Sequence, residues 1–126
     1  MKAPCRLGAL ALLLPALAAN AQEASSGRQL YEQHCASCHG SRAGGDGWLS
    51  RYLTRTPPPL NALSRSFGGK FPAEIVRSVI DGRRQVAMHG PRDMPVWGTV
   101  FRMDEGERAT QARIQSLVAY LEEIQH

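Results

Sequence analysis

Five consecutive residues, Cys35-Ala36-Ser37-Cys38-His39, bring two thiols and an imidazole to one place. In a helix Cys35, Cys38 and His39 fall at i, i+3 and i+4, so all three project from one face. Thiols so spaced can add to the two vinyl groups of one haem, and the next residue offers its imidazole to the iron, which is the pattern of a covalent haem attachment site. Other uses of the cysteines fit less well. A thioredoxin-like redox pair needs a βαβ pattern beside it, and the chain has no clear strand run. A structural zinc site wants four ligands, usually as two spaced pairs, yet the only other cysteine is Cys5 near the N-terminus.

A six-coordinate haem needs a second axial donor. Beyond residue 21 the candidates are Met88, Met94, Met103, His34, His89 and His126. Met94 precedes Pro95 in a Pro/Gly-rich loop, and a methionine held in such a loop can reach across to the face opposite His39. Met103 stands near the last helical pattern and is expected to pack as core. The residues alone favour Met94 modestly, with Met88 and His89 as conceivable ligands, and the alternative for Met94 is a core methionine filling a gap.

The elements that must position these groups are helical. Ser25 or Ser26 can cap a helix starting near Gly27, on which Leu30, Tyr31, His34, Cys35 and Cys38 follow one stripe. Gly40 is placed to end it. Residues 41–70 are rich in Gly, Pro, Ser and Arg and read as long irregular structure. A loop that long is unusual in a packed domain, unless it packs on a large cofactor. Phe71 to Asp81 reads as a second helix, with Pro72 in its first turn, an apolar face of Ile75, Val76, Val79 and Ile80, and Gly82 as terminator. A second loop is expected from Arg83 to about Met103. The last helix is expected from about Glu105 to Ile124, with Ile114, Leu117, Val118, Leu121 and Ile124 as its buried stripe and Glu105 and Glu107 suiting its N-terminal end.

The N-terminus reads as a secretory leader. Lys2 and Arg6 precede an apolar run from Leu7 to Ala19, and Ala19-Asn20-Ala21 is an A-x-A cleavage site. The run is shorter than the ~20 apolar residues of a membrane span. Cleavage after Ala21 would leave residues 22–126 as one small domain in an oxidising compartment, the periplasm, where a free thiol pair would oxidise unless haem took it up. Retention of the leader as an N-terminal anchor is the alternative. The leader holds two bases and no acid, so the net charge of +4 falls to +2, too small to point to nucleic acid or an anionic membrane. Lys70 is the sole lysine beyond the leader.

Three motifs give the chain a resemblance to class I c-type cytochromes over nearly all of residues 22–126. Gly27-x-x-Leu30-Tyr31-x-x-x-Cys35-x-x-Cys38-His39-Gly40 resembles the family's first helix and haem site. Met94-Pro95-Val96-Trp97-Gly98 resembles its methionine loop, and Leu117-Val118-Ala119-Tyr120-Leu121 its last helix. The resemblance implies a small all-α fold, three to five helices and long loops around one covalent haem c, with His39 and Met94 as axial ligands. It also implies that Gly27 and Tyr31 meet Leu117 and Tyr120 where the first and last helices cross. In Pro57-Pro58-Pro59-Leu60, the family pattern makes the Pro58 carbonyl the acceptor for the second ring nitrogen of His39, with Leu60 packed on the haem; a plain polyproline spacer is the other reading. Trp97 would pack near the haem, its indole N–H reaching a propionate; Arg83, Arg84 or Arg92 could do likewise, although a solvated surface charge is the favoured reading of each.

With both axial positions filled, the iron has no open position for a substrate. The expected function is therefore one-electron transfer, with no catalytic residue. The chain would be a periplasmic shuttle between a dehydrogenase or quinol-oxidising donor and an oxidase or reductase acceptor. The alternatives are the electron-transfer subunit of a periplasmic dehydrogenase complex, or a haem sensor or peroxidase-like protein with a labile sixth ligand.

Overall fold

The computed structural model describes residues 23, 26–83 and 94–126. Residues 1–22, with Cys5, and Arg84, Met88, His89 and Arg92 lie outside the described residues. Among those described there are five α-helices and no strand. We label them α1 (residues 26–34), α2 (Ala36–His39), α3 (Leu63–Ser66), α4 (Ala73–Asp81) and α5 (Trp97–Glu123). Two 3₁₀ turns, Ser50–Tyr52 and Leu60–Ala62, interrupt the long first loop, which is less irregular than its composition suggests.

The core is built where α1, α4 and α5 bury their stripes. Tyr31, Phe101, Ile114 and Leu117 are at most 1% exposed, and Val76, Ile80, Val118 and Leu121 join them. Each such side chain contributes roughly 1.5–3 kcal/mol when fully withdrawn from water. Ile124, expected in the buried stripe of α5, packs only half-buried at its end.

α1 crosses α5 at Gly27. A Cβ there would lie 1.9 Å from the Ser116 carbonyl oxygen and 2.8 Å from Tyr120 Cβ, so glycine is what lets the two backbones meet. Tyr31 packs its ring 5.4 Å from that of Tyr120. The residue facing Gly27 is thus Ser116, through its main chain, beside Tyr120; Leu117 is buried in the core next to them.

Three sequence expectations are corrected. Pro72 sits at the N-cap of α4, one residue before its first turn. The last helix begins at Trp97 rather than Glu105, and its backbone breaks at Gly106, where φ 80° and ψ 177° are open to glycine alone. The charged pattern around Glu105 and Glu107 marks the restart after this break, not the beginning of the helix. Met103, expected in the core, is 82% exposed on the first half of α5.

Candidate functional site

The attachment turn is finished by its own main chain and by the loop that follows. Cys35 N–H bonds the Tyr31 carbonyl (2.8 Å), and His39 N–H bonds that of Cys35 (2.9 Å), so the motif continues α1 with one irregular residue at Cys35. A four-residue helix leaves its last carbonyls without partners. Here Leu49, Gly47 and Gly45 donate to the carbonyls of Ser37, Cys38 and His39 at 2.9, 3.2 and 2.8 Å. The chain then turns at Gly40, whose φ 85° and ψ 155° exclude a side chain and whose carbonyl accepts the Tyr31 hydroxyl at 2.6 Å. Burial pushes the Tyr31 phenol well above its ordinary range, so it stays a donor.

Cys35 and Cys38 are half-buried and not joined in a disulfide. Burial, reinforced by the neighbouring Cys38, pushes the Cys35 thiol up to about 12.

His39 is buried, and its Nδ1 lies 3.4 Å from the Pro58 carbonyl oxygen, a long hydrogen bond. A proton on Nδ1 is the one that can use that carbonyl, which puts the lone pair on Nε2. The proline segment is anchored on both sides of Pro58. Leu60 N–H donates to Ala43 (2.8 Å) and Asn61 Nδ2 to Arg42 (2.8 Å). Gln125 at the far end of the chain donates to the Leu60 carbonyl (2.7 Å) and accepts from Ser64 N–H (2.9 Å). Leu60 packs half-buried against the core.

The methionine segment reaches the same region through an aromatic cluster. Trp97, three residues after Met94, packs its ring 4.9 Å from His34 and 6.0 Å from Phe101, and His34 lies 5.2 Å from Phe101. His34, an axial candidate from sequence, is therefore a packing residue beside Cys35. Burial first, then the Arg113 cation, holds its imidazole below the ordinary histidine range, and Asp104 opposes the shift. Met94 is half-buried. His126, the other described histidine candidate, donates its main-chain N–H to Asn61 (3.2 Å).

Sequence reasoning missed Asp81. It is one of the buried polar residues, and it takes Arg83 at 2.5 Å and Arg102 at 2.6 Å. No motif flags it; an aspartate at the end of an apolar helical stripe, one residue before the terminating glycine, is the only hint.

Among the described residues no three His, Cys, Asp or Glu side chains converge to hold a bare metal ion. Two uncrosslinked thiols and an oriented imidazole on one turn suit instead a metal that brings its own macrocyclic nitrogens. A strandless helical fold carrying that turn is a monohaem class I c-type cytochrome, with one covalently held haem c as its cofactor. The chain belongs to the family described as cytochrome c oxidase, cbb3-type, subunit III, whose model matches residues 22–121. It is similar to the Cbb3-type cytochrome c oxidase subunit CcoP of Azospirillum sp. (strain B510), with 32% identity over 111 residues, covering 87% of this chain and 31% of that protein. The subunit CcoP of Azospirillum brasilense is 30% identical over 102 residues, covering 81% of this chain and 28% of that protein. The chain thus spans less than a third of the length of these curated relatives. No solved structure matches it significantly. It is an electron-transfer haem protein.

Proposed function

We propose that this chain is a periplasmic one-electron carrier whose haem c is held by Cys35 and Cys38 and ligated by His39 and Met94. The observation that carries this reading is the His34–Trp97 contact, which brings the segment of Met94 beside the turn of His39. His39 and Met94 would then both bind the iron of a bound haem c, with no position left for a substrate. A haem c bound there supplies a ferric/ferrous couple. Pro58 orients the His39 ring, and a carbonyl on Nδ1–H makes Nε2 the stronger donor. The soft thioether of Met94 favours the reduced state and raises the potential. Leu60 and Trp97 wall the pocket and limit its access to water.

Met94→Ala is expected to abolish the methionine–iron charge-transfer band of the oxidised protein and to lower its midpoint potential. An unchanged band would make another residue the ligand. Cys35→Ala or Cys38→Ala is expected to reduce covalent haem on denaturing gels; full haem staining in both would refute the attachment reading. Amino-terminal sequencing of the protein recovered from a periplasmic extract is expected to begin at Gln22.

A second reading is favoured by the family itself: a stable electron-transfer subunit of a respiratory oxidase or related oxidoreductase complex. The two readings separate on purification. A free, reversibly reducible monomer supports the shuttle, whereas recovery only with a larger catalytic chain supports the subunit. Among the described residues no helix is long and apolar enough to cross a membrane.

A further inference from the structure

Arg83, just past the end of α4, and Gly98, in the first turn of α5 and four residues after Met94, meet at one carboxylate. The Asp81 side chain is 4% exposed. Its Oδ1 accepts both terminal nitrogens of Arg102, at 2.6 and 2.8 Å, and its Oδ2 accepts Arg83 Nε at 2.5 Å. Arg102 Nη2 also reaches the Asp81 main-chain carbonyl at 3.4 Å. Glu107 supports the pair from outside, 3.4 Å from Arg102 Nε and 4.0 Å from Arg83 Nη2.

The backbone is shaped to this arrangement. A Cβ on Gly98 would stand 2.5 Å from Asp81 Oδ1 and 2.8 Å from its Cα and carbonyl oxygen. The first turn of α5 therefore lies directly on the carboxylate, four residues after Met94. On the other side, a Cβ on Gly82 would meet Val96 Cγ1 at 2.2 Å. Ile80 of α4 and Phe101 of α5 belong to one buried apolar cluster, and apolar burial does not fix direction. A guanidinium held by two nitrogens on a buried carboxylate does.

We propose that Asp81, with Arg102 and Arg83, is a positioning clamp for Met94. It holds the first turn of α5 on the end of α4 and so fixes where Met94, four residues before Gly98, enters that helix relative to the attachment turn. The proposal rests on the reading of Met94 as the axial ligand.

The test is displacement of the methionine from the oxidised, haem-loaded protein by imidazole, followed at the charge-transfer band, alongside unfolding by guanidinium followed in the far ultraviolet. If Asp81→Asn raises the population with the methionine detached tenfold, the imidazole midpoint falls about tenfold, since the competitor binds only that population. Arg102→Gln, at a more exposed position that tolerates change better, is expected to do the same. The double variant is expected to be no worse than either single one, because the two groups act through each other. Arg102→Lys is expected to recover part of the loss. An imidazole midpoint unaltered in Asp81→Asn and Arg102→Gln, whatever happens to their unfolding, overturns the clamp while leaving Met94 as ligand. A charge-transfer band absent from the parent protein, or retained in Met94→Ala, overturns the ligand reading and the clamp together.

Discussion

Gly27→Ala is a substitution for which two physical arguments give opposite signs. On an exposed helix, alanine in place of glycine stabilises by about 1 kcal/mol through helix propensity. At the α1–α5 crossing the new methyl would sit 1.9 Å from the Ser116 carbonyl oxygen and 2.6 Å from its carbon, ~1.5 Å inside ordinary contact distance. The obstacle is main chain in the middle of a helix, so it cannot swing aside as a side-chain tip would. The helices must separate, and overpacking of this kind costs about 1–3 kcal/mol, here at the upper end. The net expectation is a loss of about 2 kcal/mol, or roughly 10 °C in Tm for a domain of this size. The assay is equilibrium unfolding in guanidinium of haem-loaded protein, followed by far-ultraviolet circular dichroism. The midpoint should fall while the slope stays constant. Gln29→Ala, exposed on the same helix, serves as control and should move stability by less than about 0.5 kcal/mol. A Gly27→Ala midpoint equal to or above that of the parent would show that the crossing is not close and that the reasoning is wrong.

Tyr31→Phe keeps the ring at the crossing but removes the donor to the Gly40 carbonyl, with an expected loss of about 1–2 kcal/mol in the same unfolding experiment; a neutral result would mean that water takes over the carbonyl. Gly47→Ala places a Cβ 2.4 Å from the Ser37 carbonyl oxygen and 2.5 Å from the Cys38 carbonyl carbon. It should displace the attachment turn, costing about 1–3 kcal/mol and lowering the ratio of covalent haem to protein measured by pyridine haemochrome. For His34, a folded-state pKa below the unfolded value means that the unfolded chain binds more protons. Stability is then complete above the ordinary histidine pKa and lost as pH falls through and below it. The parent should therefore lose more stability than His34→Gln between pH 7.5 and 5.5, and equal losses would place the imidazole in water.

The attachment turn and the helices that carry it were legible because local rules govern them. Cys35, Cys38 and His39 follow helical spacing, and Gly40 and Gly82 stop helices for reasons contained in single residues. The start of α5 was not legible. Trp97-Gly98-Thr99-Val100-Phe101 is a poor helix former by propensity. It is helical here because Gly98 packs on Asp81 and because Trp97 and Phe101 pack on His34, contacts made across more than sixty residues in the case of the two rings. The misplacement of Met103 follows from the same cause, since its face depends on how that first half is turned. The pairing of Arg83 and Arg102 with Asp81 was not legible either, because a buried aspartate at a helix end carries no sequence signature.

The break at Gly106 separates two rotational settings that a continuous helix would lock together. Residues 97–105 are oriented by Asp81, whereas residues 107–123 are oriented by Gly27 and Tyr31. In an unbroken α-helix each added or deleted residue turns everything beyond it by about 100°, so one face could be kept only by sacrificing the other. The space around Gly106 is open, with nothing within 4 Å of where its Cβ would stand. The break thus lets the two halves of α5 face different partners, while Arg102–Glu107 and Arg113–Glu105 tie them together across it.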